Sequence, residues 1–266
     1  MAIFAAMKRS DKYNLHLKFI TVLITGLSSQ LTSCKVAGRV ILGIDSSPDI
    51  KSDKQIKKDF KKFNIAENQS FVLDTTYYPE VKQQFKKEAF ALSANGQKPD
   101  SVKLESLRKI ANDNTQPAQL RYFDSNGKAV FKMVNCYIDP PIPMSWNVDG
   151  CLEVFPPAAK QETLNKGNKD LEFFLKHIAT TENKPVAFSD LPKADYYAVI
   201  FRNSFYKKPS KKLIKQIRRY DKQHPDQTTF FLFVNNHNSS LWEYLNADQK
   251  AEVLKEIQEE KAKTQK

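Results

Sequence analysis

The sequence is poor in glycine, with seven in 266 residues, and those seven stay apart. Nucleotide-binding loops need closely spaced glycines so that backbone N–H groups can wrap a phosphate. Gly38, Gly43, Gly96, Gly127, Gly150 and Gly167 form no GxGxxG or GxxxxGK, which argues against that class. There is no GxSxG elbow and no HExxH helix, so the signature routes to a serine hydrolase or a zinc protease are missing. Of four histidines, His16 lies in the N-terminal segment, and His177, His224 and His237 have no second His or Cys at ligand spacing. No metal is therefore expected. No apolar run approaches the roughly 20 residues that a membrane-spanning helix needs. Internal repeats are lacking. So is any compact Lys/Arg tract with interleaved aromatics, the footprint that nucleic acid as a partner would require.

What is present is globular composition, 41% hydrophobic and 27% charged, in a chain long enough for one large domain or two small ones. The formal net charge is +12, with lysines spread over many helical stretches. That spread reads as a solvated basic surface.

The N-terminus is more informative. Lys8, Arg9, Lys12 and Lys18 precede an apolar stretch from Phe19 to Leu27, about nine residues long, and small residues follow. A basic segment, a short apolar core and small residues form a secretory signal, with translation starting at Met1 or Met7. "Leu31-Thr32-Ser33-Cys34" resembles the bacterial lipobox, in which small side chains precede the cut and the cysteine thiol takes the lipid. The resemblance implies a signal peptide over 1–33, lipidation of Cys34, and a mature protein held at a membrane of the cell envelope, on the outer membrane or the periplasmic face. Its partners would be that membrane, through the lipid, and an envelope protein or ligand.

In the exported part, a short strand is expected over 40–44, ending at Asp45. Apolar residues at helical spacing predict helices over 53–64, 80–92, 101–112, 168–178 and 246–260, and another opening at Pro209-Ser210. Apolar runs predict strands over 70–75, 196–203 and 228–236. The last two flank a helix, which implies a parallel βαβ unit. Asp124-Ser125-Asn126-Gly127 predicts a hairpin pairing 119–124 with 129–137. The stretch 138–166, with Pro140, Pro141, Pro143, Pro156 and Pro157, is either a binding loop or a packed, proline-stiffened connector. Trp146 within it is correspondingly a recognition surface or a buried core aromatic. Asp45, Asp74, Asn236 and His237 fall at strand ends, where α/β proteins place sites, although capping and turn formation explain them equally well. With Cys34 consumed by lipid, Cys136 and Cys151 are either a disulfide or two free thiols. Closing the 14-residue loop between them would contribute about 3 kcal/mol in the chain-entropy account.

The order strand, helix, strand, helix, hairpin, helix through residue 178 resembles the thioredoxin fold. "QPAQLRYFDSNGKAVF" (116–131) is similar to the stretch of thioredoxin-like exported proteins in which a cis-proline precedes a strand and an Asp-x-x-Gly-Lys turn. The resemblance implies an α/β architecture with a central mixed sheet and flanking helices. It would comprise a thioredoxin-like core over 34–180 and an extra C-terminal βαβα segment over 181–266, packed on the same or an adjoining sheet. It also implies a cis-proline at Pro117 and a turn made by Asp124, Gly127 and Lys128. Where that family carries Cys-x-x-Cys, this chain has "SSPDIKSD", and in the second βαβα segment "NSFYKKP". Disulfide exchange needs a thiolate nucleophile and a resolving thiol. No catalytic residue and no cofactor is therefore expected, and the domain reads as a non-catalytic binding or structural module. The alternative is an exported thiol–disulfide oxidoreductase using Cys136 and Cys151. As a whole the chain resembles lipoproteins of the Bacteroidetes group, which implies an anchor and no particular activity.

Lipidation has a direct consequence. Wild-type protein should partition into the detergent phase with its N-terminus at Cys34, whereas Cys34→Ser should accumulate as an unprocessed precursor. A mature N-terminus at any other residue would refute the lipobox. Stable anchoring requires more than one acyl chain on the cysteine, because a single chain binds only marginally.

Overall fold

The computed structural model describes residues 49–93, 100–134, 145–158 and 168–264. The expected strand over 40–44, Asp45, Cys34 and Cys136 lie outside the described residues. In chain order the described elements begin with helix α1 (Asp53–Lys62), strand β1 (Ser70–Leu73), and helices α2 (Tyr77–Ser93) and α3 (Ser101–Thr115). The hairpin β2 (Gln119–Asp124) and β3 (Ala129–Val134) follows, then α4 (Leu171–Leu175) and β4 (Ile178–Thr180). The chain continues through β5 (Tyr196–Arg202), α5 (Lys207–Gln223), β6 (Thr229–Asn235), α6 (His237–Trp242) and α7 (Ala247–Thr264).

The six strands make one mixed sheet in the spatial order β3-β2-β5-β6-β1-β4. β5, β6 and β1 run parallel to one another, while β2 is antiparallel to β5, β3 to β2, and β4 to β1. The α/β architecture with a mixed central sheet is thus the one expected. The C-terminal strands belong to the same sheet as the hairpin. β5 and β6, from the C-terminal segment, occupy the middle of the sheet, and the hairpin strand β2 pairs along β5 over six register positions from Gln119↔Phe201 to Asp124↔Tyr196. Hairpin and βαβ unit are therefore neighbours in one sheet.

Side-chain alternation divides the core in two. Leu120, Tyr122, Ala198, Ile200, Phe231 and Phe233 face α1, α5 and Trp146. Phe123, Val199, Phe201, Leu232 and Val234 face α2 and α4. Central strands buried on both faces carry near-continuous apolar runs, as "YYAVIF" and "FFLFV" do here.

Local chemistry sets the element ends. Ser52 and Gln55 form a reciprocal capping box at α1. Pro209 sits inside the first turn of α5, which starts at Lys207, two residues before its expected opening; a missing N–H costs nothing in a first turn. In the hairpin, Asp124 Oδ1 accepts from Asn126 N at 2.9 Å and Lys128 N at 2.8 Å. Gly127 has φ of 76°, and a Cβ there would lie 3.3 Å from Leu171 Cβ.

Three expectations are corrected. The helix over 168–178 is shorter, because His177 N bonds back to Phe174 O and Ile178 turns outward into an edge strand paired with Leu73. Pro117 follows a trans bond; the cis peptide among the described residues precedes Pro156, and the Pro117 carbonyl instead accepts from Asn236 Nδ2 at 3.0 Å. Trp146 is not a recognition surface. It is fully buried, with its indole N–H donating to Pro209 O at 3.3 Å, so the ring can leave water without stranding its donor. Residues 145–158 accordingly behave as a packed connector: Phe155 stacks on Tyr220 at 5.5 Å and Tyr220 donates to Val154 O at 2.6 Å.

Phe201 is fully buried with Tyr77 and Phe174 rings at 5.5 and 6.0 Å, while Phe90 on α2 is 76% exposed. Phe201→Ala should cost about 3–5 kcal/mol and Phe90→Ala less than about 0.5 kcal/mol, both read from urea midpoints. Similar losses for the two would contradict this packing.

Candidate functional site

Because β1, β5 and β6 are parallel, their C-terminal ends share one edge of the sheet, the place where open α/β sheets bind ligands. Arg202, Asn203, Asn235, Asn236 and His237 are all buried there. Local hydrogen bonds meet part of their capacity, while Asn235 Nδ2 and Asn236 Oδ1 make none. Asn203 Oδ1 accepts from Phe205 N at 2.9 Å, and Asn203 Nδ2 donates to Ser240 Oγ at 2.9 Å. Asn235 Oδ1 accepts from His237 N at 3.0 Å, and Asn236 Nδ2 donates to Tyr78 OH at 3.1 Å.

The chain's own entry segment covers this edge. His237 Nε2 lies 2.9 Å from Asp49 O. Asn238 binds both polar groups of the Lys51 backbone, accepting from its N–H at 2.9 Å and donating to its carbonyl at 2.7 Å. Lys51 Nζ then reaches Ser204 Oγ at 2.7 Å and Asp59 Oδ2 at 2.5 Å. "SSPDIKSD" and "NSFYKKP" thus meet through Lys51 and Ser204, and both are engaged in fastening residues 49–51 to the strand ends.

Behind them lies a buried cation. Arg202 is 3% exposed, with its guanidinium over the Phe63 ring at 4.2 Å and Asp59 Oδ2 at 3.9 Å from Nη2. Its Nε and Nη1 make no hydrogen bond, and burial pulls its pKa down to about 10 against the attraction of Asp59. Burial would raise the Asp59 carboxyl, but the Lys51 hydrogen bond and the charges of Arg202, Lys51 and Lys62 outweigh it and hold the group below the usual carboxylate range.

Asp74, Thr76, His177 and Glu80 form a second polar group. Thr76 Oγ1 is 2.8 Å from His177 Nδ1, and Glu80 Oε2 is 3.3 Å from Nε2. Asp74 Oδ1 gathers Thr76 N at 2.8 Å, Thr76 Oγ1 at 2.7 Å and Tyr77 N at 3.2 Å. It therefore caps α2, and Thr76 already gives its hydroxyl to that cap. Asp74 thus takes the capping role, and His177 the locally hydrogen-bonded one. Among the described residues no group of three or more His, Cys, Asp or Glu could hold a metal ion. Cys151 is buried, its Sγ 3.5 Å from Trp146 O; a pairing with Cys136 falls outside the described residues.

A feature that the sequence reading dispersed emerges in three dimensions. α1 and α5 both pack on the Trp146 side of the sheet. Together they carry thirteen Lys/Arg against three Asp, a net of +10 in a chain whose formal total is +12. Lys62, Phe63, Asn64, Lys211, Ile214, Lys215, Arg218, Arg219 and Lys222 line a groove of about 510 Å³ between them, closed by Arg218 donating to Asn64 O at 2.8 Å. The signal was available in each helix, but their 144-residue separation from Lys62 to Tyr206 hid the convergence.

No family model matches this chain, and neither the curated proteins nor the solved structures yield a match.

Asp59→Asn should remove the carboxylate facing Arg202 and cost about 1–3 kcal/mol at neutral pH. Since the folded-state pKa of Asp59 is depressed, its contribution is present above the ordinary carboxylate value and disappears as pH falls through the folded value. The wild type–variant gap in urea midpoints should therefore close on going from about pH 6 to below about pH 4. A gap that widens with acid would refute the assignment.

Proposed function

We propose that this chain is an exported lipoprotein, anchored through lipid on Cys34 at the cell envelope, whose folded part binds or holds a partner without catalysing a reaction. The observation that carries the non-catalytic half is the Lys51–Ser204 contact at 2.7 Å. It engages both cysteine-free stretches in holding the chain's own entry segment. The anchoring half rests on the signal-like N-terminus and "Leu31-Thr32-Ser33-Cys34". Helices long and apolar enough to cross a membrane are absent among the described residues.

The oxidoreductase alternative depends on Cys136 and Cys151. A reactive thiol requires partial exposure and electropositive surroundings that favour the thiolate, and Cys151 is 2% exposed beside a backbone carbonyl. Insulin disulfide reduction separates the two readings. The purified protein should show no rate above background, and Cys136→Ala/Cys151→Ala should be indistinguishable from it. A rate that vanishes in the double variant would replace the binding module with an enzyme.

A further inference from the structure

We infer that the face built by α1 and α5 docks on an anionic lipid bilayer, its lysines seated among phosphate headgroups. The choice of a bilayer as the source of the phosphates rests on the membrane anchoring proposed above. The charge itself does not.

Of the three acidic residues on these helices, Asp59 is turned inward onto Lys51 and Arg202, and Asp221 is half-buried with its pKa raised by burial. Only Asp53 is exposed, at the start of α1. Lys58, Lys61, Lys62, Lys211, Lys215 and Arg219 are all exposed. Arg202 adds a buried charge behind Phe63, which lines the groove. The chemistry of the face favours headgroups over nucleic acid. Single-strand binders offer exposed aromatic platforms for stacking bases, whereas the aromatic in this groove, Phe63, is half-buried beneath Arg202. Lysines act as hydrated point charges suited to a diffuse layer of phosphates.

Chain length agrees. Cys34 lies 15 residues before Asp49, and α1 begins four residues after that. A fully extended link of that length spans at most about 50 Å. A lipid on Cys34 therefore holds the basic face near the bilayer it would engage.

The test uses the mature chain from residue 34 with Cys34→Ser, which carries neither the signal segment nor a lipid and so reads the face alone, and it sediments the protein with two kinds of vesicle. It should bind vesicles of phosphatidylcholine containing roughly a third phosphatidylglycerol at least tenfold more tightly than pure phosphatidylcholine. That preference should fade between about 0.05 and 0.5 M salt as the Debye length shortens. Lys211→Glu/Lys215→Glu/Arg219→Glu should abolish the preference, and the milder Lys211→Gln/Lys215→Gln/Arg219→Gln should reduce it if the reversal impairs folding. Lys86→Glu/Lys87→Glu/Lys103→Glu, on α2 and α3, should leave it intact. Equal binding to both vesicles, equal loss in both charge-reversed triples, or α5-dependent binding of duplex DNA without vesicle binding would overturn the inference. Failure of the lipid anchor would show separately, in the processing and detergent partition of the wild type.

Discussion

The pairing of β5 with β2 holds this molecule together. It joins a hairpin from the middle of the chain to a βαβ unit from its C-terminal part, and it makes β5 an interior strand, with β6 on its other side. An interior strand buried on both faces has no solvent side, so "YYAVIF" must be roofed twice. α1 and α5 provide one roof, α2 and α4 the other. The amphipathicity of each helix follows from that demand. Once α1 and α5 must cover adjacent parts of one sheet face, their outward sides are forced together, and so are their lysines.

The same geometry creates a cost inside the hairpin. Arg121 and Lys132 are register partners on the face covered by the end of α3, and both are buried. Like charges opposite one another destabilise a sheet, and unpaired buried charges are worse. The end of α3 supplies the compensation: Asp113 meets Lys132 at 3.0 Å, and Asn114 Oδ1 accepts from Arg121 at 2.8 Å. Gln119 Oε1 takes a second Arg121 donor at 2.9 Å, and Tyr77 OH donates to Asn114 O at 2.9 Å. Burial still lowers the pKa of both cations. A polar network of this kind fixes α3 against the hairpin more specifically than apolar contact would.

Much of the architecture was legible because its signals are local. The Asp124–Gly127 turn, the double-sided apolar runs of β5 and β6, and the helical spacing of Leu213, Ile214 and Ile217 each specify one element without reference to the rest. What was illegible depends on neighbours. Ile178 reads as the last apolar position of a helix until β1 presents an open edge to it. Trp146 among prolines reads as either exposed or buried until the Pro209 carbonyl is placed at its N–H. Pro117 before a strand fits a cis-proline by resemblance, yet its position next to β6, where Asn236 takes its carbonyl, is set by a strand order that periodicity does not encode. The basic face is the clearest case. Two lysine-rich helices, each an ordinary solvated helix by itself, become one surface only through topology.

The strand-end edge and the basic face are mechanically one system. Lys51 ties the entry segment to Ser204 and Asp59, and Asp59 stands against Arg202 behind Phe63. Residues 49–51 therefore lead into α1 through a fixed point, held by hydrogen bonds to Asn238 and by a carboxylate whose charge the surrounding cations stabilise. The entry into α1 is tied to the strand ends on one side and, through Asp59, to Arg202 on the other. The half-buried Lys51 and Asp59 and the buried strand-end asparagines thus hold the start of α1, and with it one wall of the basic groove, in place.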